Sequence, residues 1–458
     1  MPKRVPPLTL FQPRSFAAVI VMLCVASLAC LAPRTVQALP SYAQQTGMPC
    51  ATCHTVAFGP QLTPYGRQFK LNGYVWGSSA QHVPLALMTV LGQTHTDTDL
   101  SEAPEHFSTN DNFAMNELTG FLAGRLAPHL GSFIEVAYSG VERNVAWGAF
   151  DLRSAWSGSL GSTAYVAGVT LNNNPTVTDL WNSTPVWSFP YTGSELAPTP
   201  AAAPLLYDGI SERVLGPSFY TMLDGHYYFE VGVYKALGDS TLRHVGLTTE
   251  DNLNMHGLAA YWRAAAQFDH GPNDFSIGLV GLNSKLRPDT TLDDTDSYSD
   301  IGLDGSYQYS AGPHALTANF SLVHENRHLH NSFAAGGSDA VSNKLDSARV
   351  DFTYAFRQTW AGSAGLFTTS GTHNLDLYAP ADTEGSANGS PDSSGYTLQL
   401  EYVPFGKAGS PGGPWMNMRF GLQYTGYHKF NGGSSNYDGN GRSASANNTV
   451  FLFAWLAL

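Results

Sequence analysis

Residues 48–54 read MPCATCH, a pair of cysteines two residues apart with a histidine directly after the second. Four chemistries use cysteines at this spacing. A structural disulfide between Cys50 and Cys53 leaves His54 without a role. A dithiol redox pair of the thioredoxin kind needs a βαβ setting, for which the chain has no pattern. A zinc site needs further Cys or His at ligand spacing nearby. In the fourth, both thiols add across the vinyl groups of a haem, and the adjacent imidazole lies under the iron as its proximal ligand. Only this reading uses every residue of the motif, so one covalent haem c on Cys50, Cys53 and His54 is the expectation.

The surroundings of the motif support it. Residues 1–38 carry Lys3, Arg4 and Arg14, then the apolar run FAAVIVMLCVASLACLA, then TVQA with small residues at 36 and 38. This is the pattern of a secretory signal peptide, with cleavage expected before Leu39. The chain has four cysteines, and Cys24 and Cys30 leave with that leader. The two that remain cannot build a disulfide framework. The formal net charge is −13, and loss of the basic leader makes the mature chain more acidic still. An acidic exported protein is a poor partner for nucleic acid, and none is expected.

After the motif, QLTPYGRQFKLNGY places Thr63 as a helix N-cap, Pro64 at the first helical position and Gly73 as a stop, which predicts a helix of two to three turns. Arg67 and Lys70 on that helix are candidates to face the haem propionates, or else are ordinary solvated charges. Residues 39–80 form the haem-binding segment. A stretch of roughly 40 residues seldom builds a core of its own, so residues 81–458 must enclose it.

Those residues alternate. RVDFTYAF puts Val350, Phe352, Tyr354 and Phe356 on one face and Arg349, Asp351, Thr353 and Ala355 on the other. YTLQLEY repeats the pattern, with Tyr396, Leu398, Leu400 and Tyr402 against Thr397, Gln399 and Glu401. About sixteen such segments follow one another from Leu85 to Asn448, including ones placed near Ser211, Met255 and Leu345. The connections between them alternate long and polar with short, PFGKAGSPGGPW being the long exception among the short ones. The fold expected is all-β: a transmembrane antiparallel barrel in the outer-membrane lipid, with a short helical haem segment plugging or lining its lumen. An even strand count leaves both termini periplasmic and the long loops extracellular.

Other residues with possible chemistry are weaker. Asp289, Asp293, Asp294 and Asp296 in one loop, and Asp97, Asp99, Glu102 and Glu105 in another, either gather cations or are solvated loop charges. His324, His328 and His330 in HENRHLH are metal ligands or part of a plain rim loop. The second axial iron ligand is open, with His82, Met88 or a lumen histidine as candidates.

The stretch LPSYAQQTGMPCATCHTVAFGPQLTPYGRQFKLNGY, the loop LNNNPTVTDLWNSTPVWSFPY and the ending NNTVFLFAWLAL together resemble the monohaem cytochrome and porin fusions of the outer membrane of iron-oxidising bacteria. The ending on Leu458 departs from the aromatic usual in such barrels. The resemblance implies a haem inside a barrel, held by Cys50, Cys53 and His54, that takes electrons from extracellular Fe(II) and passes them to a periplasmic carrier such as a small cytochrome or copper protein. The residues alone leave two other readings: a passive porin with a regulatory haem segment, and an outward conduit to an extracellular acceptor.

Overall fold

The computed structural model describes residues 40–77, 84–184, 187–411 and 415–458. The expected leader and His82 lie outside the described residues. Among these residues sixteen strands close into one antiparallel barrel, each paired with its neighbours in the chain and the first paired with the last. Closure follows from the solvent. Lipid offers no hydrogen-bond partner to a free strand edge, so the ladder must run without a break.

The two faces divide as the alternation predicts. In β12 (Ser342–Phe356) Phe352 and Tyr354 point outward and are about half exposed, at 51% and 45%, whereas Asp351 and Thr353 point into the lumen and are buried. In β14 (Ser393–Tyr402) Leu398 and Leu400 face outward, and Thr397, Gln399 and Glu401 face in. An apolar outside and a polar inside mark a barrel that sits in lipid.

Connections at one end are two or three residues long, such as 128–129, 161–162, 271–272 and 312–313. At the other end they run through 97–111, 173–213, 237–258, 372–392 and 430–448. The exception at the short end, 403–416, has a structural use. Gly406 accepts a hydrogen bond from the Ala51 amide at 2.9 Å, so this turn reaches up to support the motif segment.

Strand starts near Ser211, Met255 and Leu345 differ from those observed at Val214, Ala259 and Ser342. Met255 makes only an isolated bridge to Leu286 before Gly257, with φ at +81°, breaks the line. Ser342, Asn343 and Lys344 carry the sheet beyond the lipid, where no apolar alternation is needed.

Two elements fill the lumen. The N-terminal segment, with helices α1 (Pro40–Thr46), α2 (Cys50–Cys53) and α3 (Pro64–Leu71), lies inside the short-turn end. Its bonds reach around the rim. The Arg125 amide donates to Gln45 Oε1 at 2.7 Å, Gln308 Nε2 donates to the Leu62 carbonyl at 2.9 Å, and Gln358 Nε2 donates to the Ala51 carbonyl at 2.8 Å. Asn417 Nδ2 donates to the Ala57 carbonyl at 2.6 Å.

The second filling element is the connection 173–213 between β5 (Thr163–Asn172) and β6 (Val214–Leu223), which folds inward and buries Leu180 and Trp181. Its Asp179 lies 3.2 Å from the Arg263 guanidinium, which also donates twice to Asp304, at 2.8 Å each. Ser183 Oγ completes the knot by donating to Asp304 at 2.6 Å.

Breaking a buried pair of this kind costs about 3–5 kcal/mol, because a charge is left in low dielectric without a partner. Arg263→Ala strands both Asp179 and Asp304. It is expected to lower stability by about that amount, read as a reduced urea midpoint for the barrel refolded in lipid vesicles.

Candidate functional site

The motif segment is shaped by short-range bonds. Thr63 caps α3 as its sequence predicts: the Gly66 amide donates to Thr63 Oγ1 at 3.2 Å, and Pro64 takes the first helical position. The Thr63 hydroxyl in turn donates to the Thr52 carbonyl at 2.6 Å, and its amide to the Cys53 carbonyl at 2.9 Å. One residue thus starts α3 and ties it to α2. Gly66 permits the contact, since a Cβ there would lie 2.3 Å from the Cys53 carbonyl oxygen. Asn72 ends the helix and Gly73 follows with φ at +75°, a left-handed conformation that suits glycine.

Cys50, Cys53 and His54 all line one cavity of about 520 Å³. Its walls include Phe69 from α3, Phe121 and Phe133 from β2 (Asn112–Ala127) and β3 (Leu130–Ser139), Trp187 and Tyr191 from the inward loop, and Trp455 from β16 (Thr449–Ala457). Met88, on the inner face of β1 (Leu85–Thr96), lines it too, with its sulfur accepting a hydrogen bond from Trp455 Nε1 at 3.1 Å.

Both cysteines are free thiols. Burial pushes the Cys53 thiol up to about 11 and raises that of Cys50 as well. A reactive redox dithiol has the opposite shift. Among the described residues no group of three or more His, Cys, Asp or Glu converges as a metal site, so the zinc reading finds no third ligand there. Burial lowers the His54 imidazole to about 4, against the pull of the Gly59 and Gln61 backbone. Its Nδ1 is buried without a hydrogen bond. A neutral imidazole is the form that ligates a metal.

Arg67 and Lys70, one helical turn apart, part company. The Arg67 guanidinium is taken by Asp274 and by Gln308 Oε1, the latter at 2.8 Å, and does not line the cavity. Lys70 does line it, its ammonium 5.2 Å from the Trp187 ring centre and donating to the Asp179 carbonyl at 2.6 Å. The other charged groups of the cavity wall are Arg349, Glu117 and Glu135.

Arg349, Trp187, Tyr191 and Trp455 were not picked out as site residues in the sequence. Of these only Arg349 carried a usable sign, its place on the polar face of RVDFTYAF. A cavity with two thiols and a neutral imidazole, and with aromatic rings, two cations and two acids on its wall, has the donor set that could hold a haem.

The remaining candidates stand apart from this cavity. His324 lies on the outer face of β11 (His314–Leu329), with Nδ1 2.6 Å from Asp346. Asp289 binds the Thr291 amide at 2.8 Å and hydroxyl at 2.6 Å, and Asp296 takes the Asn331 amide at 2.8 Å. These two loop acids therefore hold loop structure.

No family model and no curated protein sequence matches the chain. Solved structures resemble it in fold. The outer membrane channel DcaP of Acinetobacter baumannii is 14% identical, with a TM-score of 0.46 over 84% of this chain and 99% of that one. OmpF of Salmonella typhi, in a complex with daunomycin, is 13% identical, with a TM-score of 0.45 over 82% and 97%. OmpT of Vibrio cholerae is 8% identical, with a TM-score of 0.39 over 82% and 97%. The chain is a closed antiparallel barrel of sixteen strands whose apolar outer face suits lipid.

Burial, with Arg153 adding to it, pushes the Lys70 ammonium down to about 7 from an ordinary 10.5. Between those values the unfolded chain keeps a proton that the folded chain has released, so the stability of the haem-free protein rises with pH across that window. Lys70→Met should flatten that part of the curve, measured as the urea midpoint against pH for both proteins.

Proposed function

We propose that the protein is an outer-membrane electron-transfer protein that carries one covalent haem c, accepts electrons from extracellular Fe(II) and delivers them to a periplasmic carrier. The observation that supports this reading best is the meeting of C-x-x-C-H with an aromatic-walled cavity inside the lumen, lined by both thiols and by His54. Bound there, haem would supply a single one-electron couple, which suits Fe(II) and does not suit hydride chemistry.

The chain's own groups divide the remaining work. The Cys50 and Cys53 thiols supply the S–H that adds across each vinyl group, a step that needs no external oxidant. His54 offers a neutral nitrogen held by the α2–α3 packing. Met88 would offer a thioether sulfur on the cavity wall, once its bond to Trp455 is given up. Lys70 offers a cation for an acidic arm. Phe69, Phe121, Phe133 and Trp455 give the cavity apolar wall, and a low-dielectric surround is one means by which a protein sets a haem potential.

Placement matters as much as chemistry. The segment sits at the short-turn end, which in this reading faces the periplasm, so a soluble carrier meets the site there. On the long-loop side a second cavity of about 390 Å³, lined by polar side chains such as Asn319 and Gln423 and by rings such as Phe189, Tyr207 and Phe451, adjoins the first. The two share Asn182, Ser188, Pro190 and Arg349. A passive porin would need the N-terminal segment to leave the lumen, and its bonds around the rim oppose that.

Intact mass spectrometry of the mature wild-type protein is expected to show the added mass of one haem. Cys50→Ala, Cys53→Ala and His54→Ala should each abolish the holoprotein, and a haem-free wild type would end the reading. Orientation is tested on the same cells. Tags near Glu102, Asp293 and Glu384 should be reachable from outside and a tag near Gly312 should not, and the opposite labelling would invert the assignment.

A further inference from the structure

We propose that Arg349 is the anchor for a carboxylate arm of the haem, placed where the inner cavity opens toward the outer one. This rests on the haem reading above and adds a residue to it.

The case begins with a comparison of arginines. Five arginines with a buried guanidinium in the lumen each have an acid: Arg67 with Asp274, Arg153 with Asp151, Arg263 with Asp179 and Asp304, Arg327 with Glu325, and Arg419 with Glu401. Such pairing is the rule for a cation taken out of water. Arg349 breaks it. Its guanidinium has no ion pair among the described residues and rests instead over the Tyr207 ring, 4.8 Å from the centre. The acid two residues along the same face, Asp351, feels the charge of Arg349 but makes no ion pair with it, and its Oδ2 accepts from Asn319 Nδ2 at 3.1 Å.

Position supplies the second part. Arg349 is the one charged side chain common to the walls of both cavities. The inner cavity holds the two thiols and His54, and the ligand expected there is apolar over its faces and anionic at its arms. A guanidinium presents a planar fork of donors that matches a carboxylate with two parallel bonds, and it can do so while stacked on an aromatic ring. Tyr207 gives that ring. Lys70, already held by the Asp179 carbonyl, is a point charge without that geometry.

The test uses the full-length, haem-loaded protein in detergent. Mass spectrometry first establishes that wild type, Arg349→Gln and Arg349→Lys each carry one haem, since the thioether positions are untouched. Resonance Raman spectra then read the propionate bending band, and a redox titration reads the midpoint potential. In Arg349→Gln the band should move to the position of a carboxylate that has lost a cationic partner, and the potential should fall. Arg349→Lys should recover part of both shifts.

A residue that only packs against Tyr207 would leave the propionate band where it is. An unchanged band and potential in haem-loaded Arg349→Gln would overturn the assignment while leaving the haem reading intact. Should the glutamine variant fail to assemble, Arg349→Lys decides, because loss of the bidentate bond must still move the band, and an unmoved band overturns the assignment. A wild-type chain without covalent haem would overturn both.

Discussion

The candidate site depends on the closure of the barrel. A β-sheet in lipid cannot leave an edge open, so the first strand of this chain must find the last. They pair from Met88 opposite Ala457 to Thr96 opposite Thr449. That seam is where the cavity lies. Met88 and Trp455 meet across it, Phe121 and Phe133 follow on the next two strands, and the motif segment, joined in sequence to β1, is delivered to the same side. The requirement that makes a membrane barrel possible also brings residues from opposite ends of the chain around Cys50, Cys53 and His54.

Filling the lumen is the second constraint. A barrel of this strand number is too wide for its own side chains to close, and an inward polar wall exacts a cost for every group left without a partner. Here the N-terminal segment and the connection 173–213 supply the partners. Arg67 reaches Asp274, Tyr74 Oη donates to Asp151 at 2.8 Å, and Asp179 meets Arg263. Each bond is modest once desolvation is counted, yet removing one partner is expensive, so the arrangement defines a single position for each insert rather than a large net stability. Rigid placement is what a redox centre needs.

Much of this was legible in the sequence because it is local. Strand faces follow from alternation, as Phe352 against Asp351 and Leu400 against Glu401 show, and lipid outside makes the pattern sharp. The cap at Thr63, the helix from Pro64 and the stop at Gly73 depend on neighbours within one turn. Other features depend on distant partners and left no local mark. Nothing in LNNNPTVTDLWNSTPVWSFPY announces that it folds inward, because its anchor Arg263 comes about eighty positions later. PFGKAGSPGGPW looks too long for a turn until the Ala51–Gly406 bond is known. Arg67 and Lys70 are one turn apart on one helix and look alike in sequence; only Asp274 and Asp179, from elsewhere in the chain, separate them. The inner face of β16 carries Phe451, Phe453 and Trp455 beside outward Leu452, so alternation there has no contrast to read.

The central claim, that this barrel takes electrons from Fe(II), is met most directly by stopped-flow absorbance of the oxidised, haem-loaded protein mixed with Fe(II) at the organism's external pH. The account predicts that the reduced haem bands grow in without any added enzyme, and that a periplasmic carrier then bleaches them. Haem that stays oxidised with Fe(II), while a stronger chemical reductant still reduces it, would contradict the account and leave the outward conduit or the passive porin in its place.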